Sequence, residues 1–308
     1  MSLMNTSAQI PIVVIGSVNT DMVVKTSTLP SRGETVIGGQ FFMSAGGKGG
    51  NQAVAAARLG GNVSMIANLG TDVFGDSSIN KLKSEGINCG AISRDKNQAS
   101  GIALITVDEK GENHIAVAPG SNSTLTPHQI ECALTNIPNG SLILLQLEIP
   151  LISVDKAIEI ARQKNCKVIL DPAPAQELPT SLYSGIFLLT PNETEAEILS
   201  GQSIQNEHSA RAAAKLLLER GIENVAITLG SQGVLFANKQ NDQLIQATEV
   251  SAVDSTAAGD CFNGSLAVAL SRGNSLQQSI AFGCKAAAVS VTRLGAQDSM
   301  PHKYELEM

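Results

Sequence analysis

The stretch VDSTAAGDCFNGSLAVAL, residues 253–270, places a single carboxylate directly before a long apolar segment. Asp260 follows Ala257, Ala258 and Gly259, whose small side chains leave the backbone uncovered. The first amide groups of a helix have no partner within it and carry a partial positive charge. If a helix begins here, these amides can bind an anion while Asp260 accepts a proton from a hydroxyl, as in phosphoryl transfer to an alcohol. An aspartate that only caps the helix would give the same pattern.

A second cluster, GGKGGNQ at residues 46–52, is rich in glycine but matches neither common nucleotide motif. Lys48 is followed by glycine rather than by Ser or Thr, which excludes a Walker A loop, and Gln52 stands where a dinucleotide loop needs its third glycine. The cluster predicts a loop whose backbone approaches a small polar ligand, with Gly47, Lys48 and Asn51 beside it. An ordinary glycine-rich turn is the alternative.

Polar residues also follow several predicted strands. Asn19 and Asp21 come after IPIVVIGSVN, Glu148 ends SLILLQLE, and Asn192 and Glu195 lie in TPNETEAE. Ligands of open α/β sheets bind beyond the carboxyl ends of the strands, so one shared site accounts for these clusters together. Side chains two residues apart in extended chain point to the same side, so Asn19 and Asp21 would lie together. An amide beside a carboxylate can donate to and accept from two neighbouring hydroxyl groups of a sugar. Local Asx turns are the alternative for each cluster taken alone.

Strands alternate with helices along most of the chain, and the strand segments are apolar on both faces. This pattern predicts an α/β fold: a doubly wound, mostly parallel sheet with helices on both faces, in a single domain over residues 4–308. Residues 22–45 and 100–118 interrupt the alternation and resemble hairpin strands. We expect them to form a small inserted β-sheet, a lid over the site.

The composition excludes several classes of protein. The 308 residues carry a net charge of −7, which argues against an extended nucleic-acid surface. No segment resembles a signal peptide or reaches membrane-spanning length. The cysteines are odd in number, widely spaced and without a C-x-x-C, so we expect reduced, buried thiols in a cytoplasmic protein. These are Cys89, Cys132, Cys166, Cys261 and Cys284.

From VIGSVNTD to RLGAQDSMP the sequence resembles the ribokinase-like family of carbohydrate and nucleoside kinases. Two family signatures carry the resemblance: the segment GGKGGNQAVAAARLG, and the D-x-x-x-A-G-D segment in the form DSTAAGD. The resemblance implies transfer of a phosphoryl group from ATP to the 5-hydroxyl of ribose, with Asp260 as general base and Ala257–Gly259 as the anion hole. Ala103 and Ile105 would cover the apolar face of the sugar. Its hydroxyls would be held by Asn19, Asp21, Gly47, Lys48, Asn51 and Glu148.

The resemblance also implies a nucleotide site and two cations. Asn192 and Glu195 match a motif tied to Mg²⁺ and phosphate, and a monovalent cation, K⁺, would lie beside the anion hole. Residues expected at the nucleotide are Asn192, Thr228, Gly230, Ser231, Gly233, Gly259 and Cys284. Residues expected at K⁺ are Asp254, Thr256, Ser290, Arg293, Gly295 and Ser299.

Three alternatives remain open at this point. The acceptor could be 2-deoxyribose, a hexose such as fructose, or a nucleoside, although Asn19 beside Asp21 favours a sugar with a free 2-hydroxyl. A nicotinamide-dependent oxidoreductase would need a G-x-G-x-x-G after the first strand, which is missing. A sugar-binding regulator without turnover would not need Asp260.

Exposed lid hairpins leave open sheet edges, from which we expect a homodimer joined through the two lids.

Overall fold

The computed structural model describes residues 9–306. Within them the strands are β1 (Ile12–Ile15), β2 (Asn19–Lys25), β3 (Gln40–Gly46), β4 (Val63–Gly70), β5 (Asn88–Asp95), β6 (Gly101–Val107), β7 (Asn113–Ala118), β8 (Leu142–Leu145), β9 (Lys167–Leu170), β10 (Leu188–Leu189), β11 (Asn224–Thr228), β12 (Val234–Asn238) and β13 (Asp242–Ile245). The α-helices are α1 (Lys48–Arg58), α2 (Val73–Ser84), α3 (Pro127–Leu134), α4 (Leu151–Gln163), α5 (Thr180–Tyr183), α6 (Glu193–Ser200), α7 (Glu207–Glu219), α8 (Ala258–Ser271) and α9 (Leu276–Ser290).

The main sheet has nine strands in the order β13-β12-β11-β10-β9-β8-β1-β4-β5. All neighbouring strands run parallel except at one edge, where β12 pairs antiparallel with both β11 and β13. On β1, Val13 and Ile15 pack into the hydrophobic core on one face, while Ile12 and Val14 pack into the core on the other. A strand buried on both faces needs helices on both sides, which is why its sequence is apolar throughout. The α/β prediction is confirmed.

The small accessory sheet is also present, in the order β3-β2-β6-β7. It begins at Asn19 rather than at residue 22, so Asn19 and Asp21 are themselves part of the lid sheet. The connection between β2 and β3, residues 26–39, contains no regular structure and is much longer than a tight turn. Between β6 and β7 the chain turns over residues 108–112, where Asp108 Oδ1 accepts hydrogen bonds from two following backbone amides.

Helices α1 and α8 cross closely and place the glycine cluster beside Asp260. At Gly264 of α8 an added Cβ would lie 2.6 Å from the carbonyl oxygen of Gln52 and 2.8 Å from the Cβ of Ala55. The two backbones can approach this far only because Gly264 has no side chain. The start of α1 and the start of α8 therefore face each other at the carboxyl end of the central strands.

The prediction of buried cysteines is only partly right. All five cysteines are free. Cys261 and Cys284 are buried, and burial raises the pKa of each thiol to about 11. Cys132 is exposed because α3 turns Ile130 and Leu134 into the core and leaves Cys132 on its outer face. Among residues 9–306 no helix is long and apolar enough to cross a membrane.

Candidate active site

Asp260 lies in the first turn of α8 and is 3% exposed. Its Oδ2 accepts a hydrogen bond from Asn51 Nδ2 at 2.9 Å, and its Oδ1 accepts one from Gln52 Nε2 at 3.1 Å. Burial is the largest influence on the carboxyl group and raises its pKa, although Lys48 and the two amides act in the opposite direction. The residue at the N-cap is Ala257, and no side chain caps the helix. The alternative in which Asp260 only caps α8 is therefore wrong.

The turn before α8 leaves backbone amides open beside this carboxylate. Ala257 has a left-handed backbone with φ of 58°. The amides of Ala257, Gly259 and Asp260 have no hydrogen-bond partner within residues 9–306, and an added Cβ on Gly259 would meet nothing within 4 Å. Ala258 differs, because its N–H donates to the carbonyl of Ser255 at 3.2 Å. The predicted anion hole thus has free donors on either side of Ala258 but not at Ala258 itself.

The glycine cluster serves the fold more directly than we predicted. An added Cβ on Gly49 would lie 2.7 Å from the backbone carbon of Gly16, and Gly47 has a φ of 83°. The N–H of Lys48 donates to Glu148 Oε2 at 3.1 Å. The glycines are needed because the loop packs directly on the turn between β1 and β2. The expectation that the loop's amides face a ligand is wrong for Lys48, whose amide binds a carboxylate of the protein.

Asn19 and Asp21 point from β2 toward the same side of the lid. Asn19 Oδ1 accepts a hydrogen bond from Asn122 Nδ2 at 2.7 Å, which turns the Asn19 amide nitrogen toward the site as a donor. Asp21 pairs in register with Ala103 of β6, so the two side chains lie on one face of the lid sheet. Burial, followed by the nearby charge of Glu148, raises the pKa of Asp21 to about 6.

Ile105 lies two residues beyond Ala103 on β6, in register with Val23, and so shares the face that carries Asp21. It is half-buried, while Ala103 is 5% exposed. The lid therefore presents two apolar side chains next to the Asp21 carboxylate, as the family resemblance implies for the sugar's apolar face.

Lys48 is surrounded by acids but forms no ion pair within 4 Å in the described part of the chain. Burial alone would lower its pKa, and this is the largest single influence. Four carboxylates outweigh it together, so the pKa of Lys48 is raised and the ammonium group stays charged. These carboxylates belong to Asp260, Asp171, Glu148 and Glu195.

Asn192 and Glu195 pair with each other at the start of α6. Asn192 Oδ1 accepts from the Glu195 amide at 2.8 Å, and Glu195 Oε2 accepts from the Asn192 amide at 2.8 Å, which is a capping box. Burial raises the pKa of Glu195. An isolated β-bridge joins Asn192 to Thr228 at the end of β11. The two segments expected to border the nucleotide are thus neighbours.

The turn after β11 contributes the remaining nucleotide candidates. Gly230 and Gly233 have φ angles of 54° and 104°, and a Cβ on Gly233 would lie 2.1 Å from the carbonyl of Ile245. Gly230 and Ser231 are exposed, so this turn can border a ligand. Cys284, on α9, is 7% exposed and packs in the hydrophobic core.

Asp254 joins the two loops expected at the monovalent cation. Its Oδ1 accepts from the Thr256 amide at 2.9 Å, and its Oδ2 accepts from the Gly295 amide at 2.9 Å. Burial alone would raise its pKa, but the hydrogen bonds together lower it, so the group is ionised. The carbonyl oxygens of Thr256 and Gly295 accept no hydrogen bond within residues 9–306. Oxygen donors of this kind fit a hard cation.

The other three cation candidates have local partners. The hydroxyl groups of Ser290 and Ser299 donate to the carbonyls of Ala287 and Ala296. The Arg293 side chain forms an ion pair with Glu305, and a guanidinium group cannot ligate a cation. Any contribution of Arg293 to a cation would come from its backbone carbonyl. No group of three His, Cys, Asp or Glu side chains that could hold a metal occurs in the described residues.

Four buried polar residues of the site were missed by the sequence reasoning. Asn122 orients Asn19, and Gln146 Nε2 donates to Gln52 Oε1 at 2.7 Å. Gln52 in turn donates to Asp171, which directly follows β9. Asp171 stands in KVILDP at the carboxyl end of a strand, so the rule that selected Glu148 would also have selected it. Gln52 follows Asn51 in the glycine cluster, but nothing in its spacing indicates that role.

Comparison with known proteins identifies the family of this chain. The profile of the pfkB family carbohydrate kinases matches residues 9–303. Ribokinase from Haemophilus influenzae is 43% identical over 292 residues, 95% of each chain. Deoxyribokinase from Salmonella typhi is 38% identical over 291 residues, 94% of this chain and 95% of its own. A solved structure of Arabidopsis thaliana ribokinase complexed with ribose and ATP superposes with a TM-score of 0.89 at 29% identity, covering 97% of this chain and 98% of that one. The chain belongs to the pfkB family of carbohydrate kinases.

Proposed function

We propose that this protein phosphorylates D-ribose at its 5-hydroxyl with ATP, giving ribose 5-phosphate and ADP. The observation that carries the proposal is the position of Asp260, held by Asn51 and Gln52 beside the open amides of Gly259 and its own backbone. A family of carbohydrate kinases supplies the reaction class, and full-length relatives named ribokinase supply the acceptor. An oxidoreductase or a regulator without turnover fits neither the family nor this carboxylate.

In the proposed step Asp260 takes the proton of the sugar hydroxyl. The hydroxyl oxygen forms a bond to the γ-phosphorus of ATP, the bond from that phosphorus to the bridging oxygen breaks, and the electron pair leaves on ADP. The free amides of Gly259 and Asp260 donate to the oxygens of the transferring group, at the positive end of α8. Asn51 Oδ1 is buried without a partner, so it is available to accept a hydrogen bond from the sugar.

Two cations belong to the proposal. When bound, Mg²⁺ and K⁺ would supply positive charge against the phosphates. Glu195 is the carboxylate on the expected nucleotide side, and in this structure it accepts a hydrogen bond from the Asn192 side chain. Asp254 and the free carbonyls of Thr256 and Gly295 would hold K⁺ next to the turn before α8.

2-Deoxyribose is the second candidate acceptor, because a deoxyribokinase is 38% identical to this chain. Asn19 and Asp21 favour ribose, since a sugar without the 2-hydroxyl would leave buried polar groups unpaired. We therefore expect kcat/KM for ribose to exceed that for deoxyribose by tenfold or more, with fructose and adenosine lower still. ADP release with the four acceptors measures this, and equal or better use of deoxyribose would reassign the substrate.

Asn19→Leu tests whether the discrimination resides at this residue. Removing the amide should lower kcat/KM for ribose more than for deoxyribose and narrow the ratio between them. A ratio unchanged by the substitution would mean that Asn19 does not read the 2-hydroxyl. Ile105→Val, which keeps the lid apolar, serves as the matched control and should leave the ratio unchanged.

We also propose that two copies of this protein form a homodimer through their lid sheets. We propose in addition that the protein is located in the cytoplasm. Large apolar side chains are exposed on both faces of the small sheet, as is typical of protein–protein interaction sites. They are Val24, Phe41, Phe42, Met43, Leu104, Ile115 and Val117. Five free thiols fit a reducing compartment.

A further inference from the structure

Two buried carboxylates share one amide group at the centre of the site. Gln52 Nε2 lies 2.9 Å from Asp171 Oδ2 and 3.1 Å from Asp260 Oδ1. Asp171 is 6% exposed and directly follows β9. A side-chain amide nitrogen carries two protons, so Gln52 donates one to each acid. The shared donor brings the two carboxyl groups to opposite sides of a single nitrogen atom.

The orientation of Gln52 is itself determined by the fold. Its Oε1 accepts from Gln146 Nε2 at 2.7 Å, and both glutamines are at most 1% exposed. If the Gln52 amide were rotated by half a turn, its oxygen would face two carboxyl groups and its nitrogen would face the nitrogen of Gln146. Gln146 therefore keeps Gln52 as the donor to Asp171 and Asp260.

The acids of this pair cannot both be ionised at low cost. Neither forms an ion pair within 4 Å in residues 9–306, and Lys48 is the cation with the largest effect on both. Burial is the largest influence on Asp171, and together with the negative charges of Asp260, Glu195 and Glu148 it raises the pKa of Asp171 to about 8. The positive charge of Lys48 acts in the opposite direction but does not outweigh them. Close buried carboxyl groups of this kind retain one proton between them.

Hydrogen bonding decides which acid keeps the proton. Among the described residues 9–306, Asp260 accepts two amide donors, one on each oxygen, whereas the Asp171 side chain accepts only the one from Gln52. Donors to a carboxylate stabilise its ionised form. Asp260 is therefore the ionised member, and Asp171 is the protonated one.

We propose that Asp171 is a positioning residue for phosphoryl transfer. As a neutral acid it shares the Gln52 amide with Asp260, and this arrangement keeps Asp260 ionised and oriented. Because Asp171 is neutral, it adds no second negative charge beside the phosphates. This rests on the proposed function, because it takes Asp260 as the base. When Asp171 loses its proton, the additional charge repels the nucleotide and competes with Asp260 for Gln52.

Asp171→Asn imitates the neutral acid and keeps an oxygen for Gln52. The variant should retain kcat at pH 7 within tenfold. In the unmodified protein kcat/KM for ATP should fall as the pH rises past about 8, and in the variant this fall should be missing. Asp76→Asn, which changes an exposed carboxylate paired with Arg94, is the control and should keep the fall. The proposal would be overturned if kcat/KM for ATP still fell above pH 8 in Asp171→Asn, or if it did not fall in the unmodified protein. A loss of kcat beyond tenfold at pH 7 in Asp171→Asn would also overturn it.

A second measurement does not depend on turnover. A carboxyl group whose pKa is higher in the folded than in the unfolded state makes the fold less stable as the pH rises between those two values. From pH 5 to about 8 the Tm of the unmodified protein should therefore decline relative to that of Asp171→Asn, and above pH 8 the difference should be constant. A difference that does not change with pH would overturn the protonated state of Asp171. Failure of the unmodified protein to phosphorylate any sugar would instead refute the proposed function and leave this result valid.

Discussion

Gly49 and Gly50 are adjacent in the first turn of α1, yet the structure predicts opposite effects for replacing each with alanine. A Cβ on Gly49 would lie 2.7 Å from the carbonyl carbon of Gly16 and 2.7 Å from the carbonyl oxygen of Ser17, both of them backbone atoms. A Cβ on Gly50 would lie 3.2 Å from Nε2, at the far end of the Gln297 side chain, and in ordinary contact at 3.8 Å with the methyl groups of Val18. Gly49→Ala must therefore move α1 away from the turn after β1 by several tenths of an ångström, whereas Gly50→Ala requires only a side-chain adjustment.

The magnitudes follow from these contacts. Overpacking against backbone costs about 1–3 kcal/mol of unfolding free energy, while replacing a helical glycine by alanine contributes at most about 1 kcal/mol. Because α1 carries Asn51 and Gln52, the shift in Gly49→Ala also displaces Asp260, and a misplacement approaching 1 Å costs on the order of 10²-fold in kcat. We expect Gly49→Ala to lose up to about 2 kcal/mol, which is the overpacking cost less the full alanine gain, and at least about tenfold in kcat.

Urea unfolding and steady-state ADP release measure both quantities. Gly50→Ala should be as active as the unmodified protein and equally or more stable. If the two variants behave alike, in either direction, then the packing of α1 on the turn between β1 and β2 does not position the site, and the reasoning is refuted.

Further predictions concern ions, pH and assembly. Asp254→Ala removes the carboxylate that accepts from the amides of Thr256 and Gly295. The K⁺ concentration for half-maximal activity should rise about tenfold, the effect expected for the loss of one hydrogen bond to a charged group. An unchanged K⁺ titration would show that Asp254 is not part of the cation site. If Asp21 binds the sugar hydroxyls as a carboxylate, KM for ribose should rise as the pH falls below about 6, because a protonated Asp21 is a weaker acceptor. Asp21→Asn should remove this dependence, and the same rise in KM at low pH in the variant would contradict it. Leu104→Glu in the lid should convert a dimer into a monomer in sedimentation velocity, whereas a monomeric unmodified protein at all concentrations would refute the dimer.

Much of the fold follows from local sequence patterns. Apolar strands buried on both faces and glycines at helix ends predicted the parallel sheet. The rule that ligands bind at the carboxyl ends of strands selected Asn19, Asp21, Glu148, Asn192 and Glu195. The small residues before a predicted helix selected Asp260. The length of the connection from β2 to β3 was not predicted, since residues 26–39 form no regular structure of their own.

The contacts that orient the site are long-range, and no local pattern predicts them. Ser17 Oγ donates to Glu148 across 131 residues of sequence, and Gln52 donates to Asp171 across 119 residues. The role of the glycines was misjudged for the same reason, because the backbone that Gly49 approaches belongs to another segment of the chain. The capping box of Asn192 and Glu195, in contrast, is a local signal that the sequence contains.

The turnover of Asp260→Asn tests the central claim most directly. The substitution keeps the size of the side chain and relieves the burial of a charge, so the variant should fold and should bind ATP in a calorimetric titration. Without a base, kcat should fall by about 10²–10⁴. Near-normal turnover in this variant would show that the carboxylate between Asn51 and Gln52 does not take the sugar's proton.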